Sequence, residues 1–255
     1  MKKTAILGVI ILIIIFCIFS YFHAKKNANT TIIQNLTKDN SHLIIYIKDE
    51  YTNILFDTGN AKKRLFKCLK DNNLNIRQID YIIISHKHLD HIGGMLKIKH
   101  NELSEKTKIA INNNIYNQTS EKFQKMLSAK KFNLVRPAHD YIISKNVIYT
   151  NSLLGIAETY GKQWEVQESF LIIKKHNKLT IISGCAHPGI IEMIEYAKKI
   201  TGCDKINAVV GGLGVIGEKE ARYLNDTKAD IYPIHCTEYK EGSLLKVKKM
   251  PLVIK

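Results

Sequence analysis

Apolar positions in this chain follow two rhythms that alternate along its length. Short apolar runs at 43–47, 51–56, 81–84, 141–143, 169–174, 179–183, 208–210 and 231–234 have the length and boundaries of strands. Between several of them the spacing becomes helical. Leu65, Phe66 and Leu69 share a face over 61–70, Phe123, Met126 and Leu127 do so over 121–131, and similar patterns cover 190–200 and 218–224. The two runs flanking Lys48-Asp49-Glu50 predict paired strands. Hairpins alternating with amphipathic helices predict an α+β fold in which two sheets are sandwiched between helix layers. The weakest pattern lies over 112–161. In and beside it, His139 is a loop histidine that could touch a ligand, and Trp164 is a ring that either stacks on a flat substrate or packs in the core.

One run differs from the rest. After Met1-Lys2-Lys3-Thr4, residues 5–22 are apolar and uncharged, long enough to cross a membrane as a helix. Tyr21-Phe22-His23-Ala24 suits signal cleavage poorly, and Ile14-Ile15-Phe16 before Cys17 lacks the small residue of a lipobox. The expectation is an uncleaved single-pass anchor over 1–26 and a catalytic domain over 27–255. Lys2 and Lys3 on one side nearly balance Lys25 and Lys26 on the other. The short N-terminal tail then favours a cell-membrane protein with its domain outside the cytoplasm.

At 255 residues the chain has room for one substantial core, and no repeat divides it. Its formal charge of +15 favours an anionic partner, in particular a small anionic or phosphorylated substrate, although a bias towards Lys, Asn and Ile accounts for it equally. No basic patch interleaved with aromatics gives a specific nucleic-acid signal. Cysteine usage does not suggest a disulfide framework.

The chemistry is concentrated in Ile84-Ser85-His86-Lys87-His88-Leu89-Asp90-His91-Ile92-Gly93-Gly94. His86 and His88 lie just past a strand end and project to one side, so two imidazoles can reach one ion. Asp90 and His91 fall in the turn that follows. Nitrogen and oxygen donors without cysteine suit an open zinc, iron or manganese site better than a closed structural zinc knuckle. A polar surface turn gains nothing from this clustering. Three further segments place polar residues at strand ends: Asp57-Thr58-Gly59 after 54–56, Gly184-Cys185-Ala186-His187-Pro188-Gly189 after 179–183, and His235-Cys236-Thr237 after 231–234. Taken alone, Asp57-Thr58-Gly59 also fits an ordinary turn in which Asp57 or Thr58 caps the helix from Ala61.

In this order, from about Ile44 to Thr237, the segments resemble the metallo-β-lactamase superfamily, whose signature is His-x-His-x-Asp-His after a strand. Gly-Cys-Ala-His-Pro-Gly and His-Cys-Thr are similar to the dihydropterin ribofuranosylaminobenzene phosphate synthase-like subgroup. The resemblance implies an αββα sandwich and two divalent metal ions, with zinc first and iron or manganese as alternatives. It places His86, His88 and His187 on one ion and Asp90, His91 and His235 on the other. Cys185 stands where many members have a bridging Asp, and is either a thiolate ligand, a neighbour or a small buried hydrophobe. Asp57 becomes a carboxylate supporting the ligands. Two residues depart from the subgroup: Gly214 stands where a histidine is expected, and Glu238 where glycine is usual.

Two close ions lower the pKa of a shared water, which makes hydroxide available near neutral pH. The implied activity is hydrolysis, with Asp90 holding one ion and taking a proton. A metal-assisted transferase like the pterin synthase is the alternative. A di-iron redox enzyme is disfavoured because no flavodoxin-like segment accompanies the domain. A non-catalytic metal-binding protein is the remaining class.

Overall fold

The computed structural model describes residues 30–159 and 161–254. The anchor expected over 1–26 lies outside the described residues. Among those described, no helix is long and apolar enough to cross a membrane.

The first half of the chain runs β1 (Thr31–Asn35), β2 (Ile45–Lys48), β3 (Asn53–Phe56), α1 (Lys62–Asp71), β4 (Tyr81–Ile84), the single turn α2 (Leu89–Ile92), β5 (Lys108–Ile111), α3 (Asn113–Gln118), α4 (Glu121–Ala129) and β6 (Asn133–Val135). The second continues with β7 (Tyr141–Ile142), β8 (Val147–Tyr149), the hairpin β9 (Leu153–Thr159) and β10 (Lys162–Glu168), β11 (Leu171–Lys175), β12 (Lys178–Ser183), α5 (Ile190–Thr201), β13 (Ile206–Gly211), β14 (Gly214–Ile216), α6 (Glu218–Asp226) and β15 (Asp230–Pro233). Two short strands, β16 (Thr237–Tyr239) and β17 (Leu252–Ile254), close it.

These strands form two large sheets, ordered β17-β1-β2-β3-β4-β5-β6 and β15-β13-β12-β11-β8-β7. In each sheet the pairing is antiparallel on one side and parallel on the other: β3, β4, β5 and β6 run parallel, as do β12, β13 and β15. Helices occupy the parallel crossovers, as the geometry of such connections requires. The expectation of hairpins alternating with helices therefore holds for only part of each sheet.

The strands bury both faces, which explains their unbroken apolar runs. Along β3, Ile54 and Phe56 point between the sheets towards Tyr149, Leu171 and Val210, whereas Leu55 points outward to Leu65 and Leu69 on α1. On the other side, Ile172, Ile181 and Val209 pack outward on Met193 and Ile194 of α5 and Leu224 of α6. The result is helix, sheet, sheet, helix, the metallo-β-lactamase type of sandwich.

Several elements escaped the hydrophobic pattern, β1, β5, β6 and β8 among them, and two more show why. β17 is a three-residue strand whose pairing with β1 joins the ends of the described chain, so it has too little periodicity to detect. In the β9–β10 hairpin, Leu154 and Ile156 are exposed while Ala157 and Val166 are buried, so the residues buried there are the smaller ones.

Candidate metal centre

Both sheets end their parallel strands at the same edge, where open sheets of this kind present their ligand-binding loops. β4 delivers His86 and His88, and α2 adds Asp90 and His91. The loop after β12 delivers Cys185 and His187, and the turn after β15 delivers His235 and Cys236. Donor atoms of His86, His88 and His187 lie within 4.8 Å of one another, and so do those of Asp90, His91 and His235. Two more sets meet the same limit: His86, His91 and Cys185, and Cys185, His235 and Cys236. Cys185 thus sits between the two histidine groups. Its thiol is 3.2 Å from His91 Nε2, so it is a site residue more than a packing hydrophobe.

Hydrogen bonds behind the ring fix how three of the five imidazoles face the centre. The Ser85 hydroxyl donates to Asp57 Oδ2 at 2.6 Å and accepts from His86 Nδ1 at 2.9 Å, leaving His86 Nε2 to face inward. His91 Nδ1 donates to Asp57 Oδ2 at 2.6 Å, and His235 Nδ1 donates to the Asn40 carbonyl at 2.7 Å. Asp57 also accepts from the Ser85 amide at 2.8 Å. It is fully buried and caps no helix: Ala61 begins α1 without a side-chain cap, which removes the ordinary-turn alternative.

Inside the cluster the donors crowd. His86 Nε2 is 3.1 Å from His88 Nδ1, His91 Nε2 is 3.1 Å from His235 Nε2, and His235 Nε2 is 3.0 Å from Asp90 Oδ2. His187 Nε2 is buried with no hydrogen-bond partner among the described residues. Burial holds His86 well below the usual imidazole range and takes His88 down to about 4. Burial also opposes charge on His91 and His235, but the Asp57 carboxylate raises His91 to about 10 and the Asp90 hydrogen bond raises His235 to about 9. Nitrogen and oxygen donors thus crowd to within 3.0–3.1 Å of one another in this cluster, and an orphaned nitrogen points the same way. This donor set fits divalent metal ions.

One supporting residue has no local signal in the sequence. Glu168, at the end of β10, is fully buried, and its carboxylate receives four consecutive backbone amides. Gly184, Cys185 and Ala186 donate to Oε1 at 3.0, 2.9 and 3.1 Å, and His187 donates to Oε2 at 2.9 Å. Burial pushes its carboxyl upward, while the amides and the charge of His91 pull it down. Gly184 must lack a side chain, because a Cβ there would come within 2.4 Å of Ser85 Oγ, where the loops of the two sheets meet.

The centre opens into a cleft of about 1070 Å³ between Trp164, Ile156 and Glu158 of the hairpin and Leu89, Val215 and Glu238 opposite. The hairpin docks through Ile156 N to His187 O at 3.3 Å, and Gly155 is needed there because a Cβ would meet the His187 carbonyl carbon at 2.2 Å. Trp164 does not pack in the core. It is 37% exposed, its ring edge-on to His88 with centroids 6.4 Å apart. His139 is exposed and is not part of the cleft wall. No lysine or arginine lines the cleft among the described residues, so the chain's positive charge lies elsewhere on its surface.

Comparison with known proteins agrees with this geometry. The family profile described as the metallo-beta-lactamase superfamily matches residues 37–102. A 7,8-dihydropterin-6-methyl-4-(beta-D-ribofuranosyl)-aminobenzene-5'-phosphate synthase of Methanocaldococcus jannaschii is 28% identical over 228 residues, covering 75% of this chain and 77% of the relative. An uncharacterized protein of the same organism is 28% identical over 73% of this chain and 80% of its own length. Among solved structures, a metal-dependent hydrolase of the beta-lactamase superfamily superposes with a TM-score of 0.60 at 20% identity, over 88% of this chain and 98% of that one. That likeness shows the fold.

Proposed function

We propose that this chain, which resembles the metallo-β-lactamase superfamily in its matched residues 37–102 and in its fold, is a binuclear metal-dependent hydrolase of a small molecule. The single observation that carries the proposal is the convergence of His86, His88 and His187 beside Asp90, His91 and His235, with Cys185 between the groups. The first three residues would hold one ion and the second three the other, zinc before iron or manganese. Two such ions supply Lewis acidity and a water of lowered pKa.

The chain's own residues supply the rest. Ser85, Asp57 and Asn40 hold three imidazoles with Nε2 inward. Glu168 holds the loop that carries Cys185 and His187. Asp90, with its side chain one-third exposed, is the carboxylate that reaches the cleft and can receive a proton at Oδ2. Trp164 and Ile156 offer an apolar, partly flat wall to the substrate.

The anionic or phosphorylated substrate suggested by the net charge takes a narrower form here. With no cationic side chain in the wall, its anionic group belongs at the ion positions and its flat or apolar remainder against the hairpin. The surface lysines then act on approach and not on binding. A second activity, metal-assisted transfer, is favoured by the similarity to a synthase over three-quarters of the chain.

The test is elemental analysis and turnover of the parent beside His86→Ala/His88→Ala, on a panel of phosphoesters, lactones and esters. Metal-dependent turnover lost in the double variant supports hydrolysis. Turnover only with a second, acceptor substrate favours transfer. A parent without stoichiometric metal after reconstitution overturns both. We further propose that residues 5–22 anchor the chain in the cell membrane with its domain outside the cytoplasm, supported by their uncharged apolar sequence. Protease digestion of intact and permeabilised cells tests this: a domain cut only after permeabilisation sinks the outward orientation.

A further inference from the structure

The two ion positions are not built from the same atoms, and the difference lies in a thiol so far given no role. Cys236 follows His235 at the end of β15, and neither it nor Cys185 is in a disulfide. Its Sγ is 3.2 Å from His235 Nε2, and the donor atoms of Cys185, His235 and Cys236 all lie within 4.8 Å of one another. The backbone aims it there. His235 and Cys236 take φ of 49° and 28°, successive left-handed residues that fold the chain back after the strand. The turn is pinned on both sides: Gly214 N donates to the Cys236 carbonyl at 2.9 Å, and Thr237 Oγ1 donates to the His235 carbonyl at 2.9 Å and accepts from Leu213 N at 3.1 Å. By contrast, the Cys203 thiol donates to the Asn177 carbonyl at 3.1 Å, away from this edge, and Cys68 lies on α1.

We propose that Cys236 is a terminal thiolate ligand of the ion held by Asp90, His91 and His235, with Cys185 shared between the ions, so that one position is nitrogen-rich and the other sulfur-rich. This rests on the metal-dependent function proposed above. On binding, each thiol releases its proton to solvent as its sulfur–metal bond forms. A sulfur-rich position prefers zinc, cobalt or ferrous iron to manganese and magnesium, so the two ions differ in replaceability. The nitrogen-rich position of His86, His88 and His187 has only the shared Cys185 as sulfur, so its preference for sulfur-binding metals is weaker.

The experiment uses the full chain, stripped of metal and titrated with cobalt(II). The thiolate-to-cobalt charge-transfer absorption is compared among the parent, Cys236→Ser and Cys185→Ser. The expected result is two cobalt ions in the parent and a band cut by roughly one-third to one-half in Cys236→Ser with the stoichiometry kept. A band unchanged in Cys236→Ser overturns the proposal. A parent that binds no stoichiometric cobalt overturns the metal-dependent function as well, which separates the two failures. A second measurement needs no variant. Cys236 is an exposed residue, so iodoacetamide should label it in the metal-free parent, and mass spectrometry should show that zinc protects it. Equal labelling with and without zinc overturns the proposal.

Discussion

Asp57 and Glu168 are both fully buried carboxylates behind the same centre, one in each half of the sandwich, yet they hold it by different means. Asp57 fixes side chains: through Ser85 Oγ and His91 Nδ1 it decides which nitrogen of two imidazoles faces inward. Glu168 fixes backbone: it gathers the amides of Gly184, Cys185, Ala186 and His187 into one bend. The difference follows from the local chain. His86 and His91 sit directly behind a strand and on a helical turn, so their backbone is already ordered and only ring orientation is left open. The loop after β12 has no repeating hydrogen bonds of its own, and buried amides without acceptors would cost about 1–3 kcal/mol each.

The largest effect on this arrangement should come from removing donors outright. His86→Ala/His88→Ala leaves His187 without its partners, and metal content should fall to background at that position, with turnover lost. Metal content equal to the parent would show that the first half is not where an ion sits. The double variant should fold, because both residues follow β4 beyond the end of its pairing with β5 and take no part in either sheet. Melting well below the metal-free parent would contradict that.

This contrast also decides what the chain reveals before it folds. The first half was legible because its donors are contiguous after an apolar strand, and Asp57 ends the neighbouring strand in its own motif. Strands β3, β4, β11, β12, β13 and β15 were legible for the same reason, since runs such as Ile82-Ile83-Ile84 bury both faces, whereas β1, β5 and β8 were not. Glu168 was not legible. It stands 17 residues before Cys185, in a hairpin whose outward positions are the apolar ones, and only the pairing of β11 with β12 brings it back under the loop. For Trp164 the pattern leaves both stacking on a flat substrate and packing in the core open; its strand leaves the sandwich and turns the ring to the cleft. Cys236 was legible only as a neighbour of the ligands beside His235, since its direction depends on two left-handed residues.

Glu168→Ala should therefore be chiefly a stability lesion, of about 3–5 kcal/mol, because it leaves four buried amides without an acceptor. Denaturant unfolding of the metal-free protein measures it, and a loss under about 1 kcal/mol would mean that water or relaxation replaces the carboxylate. Glu168→Gln sharpens the point. Its amide nitrogen would face His187 N at the Oε2 position, donor against donor, so the damage should centre on the position of His86, His88 and His187.

Asp57→Asn should act through rings, not a loop, and most strongly at the other position, where it meets His91 directly and reaches His86 only through Ser85. With its oxygen still accepting from Ser85 N, the new amide would point its hydrogens at His91 Nδ1 and force that ring's proton onto Nε2. Affinity for the ion held by His91 should fall about 10–100-fold. Isothermal titration with zinc resolves the two positions. Equal weakening of both positions by Asp57→Asn and Glu168→Gln would erase the distinction between side-chain and backbone support.

The smallest effect is expected outside both halves, at the hairpin. Trp164 is partly exposed, and its ring touches the centre only edge-on at His88, so it supports no donor by hydrogen bond. Trp164→Ala should leave metal content and kcat near those of the parent and raise KM by about 2–10-fold, the worth of one stacking contact. Trp164→Phe should recover most of the loss if a flat substrate ring lies on it. If Trp164→Ala instead lowers kcat with KM unchanged, the indole is acting on His88 and not on substrate. The hairpin then supports both halves, His88 through Trp164 and the loop after β12 through Glu168.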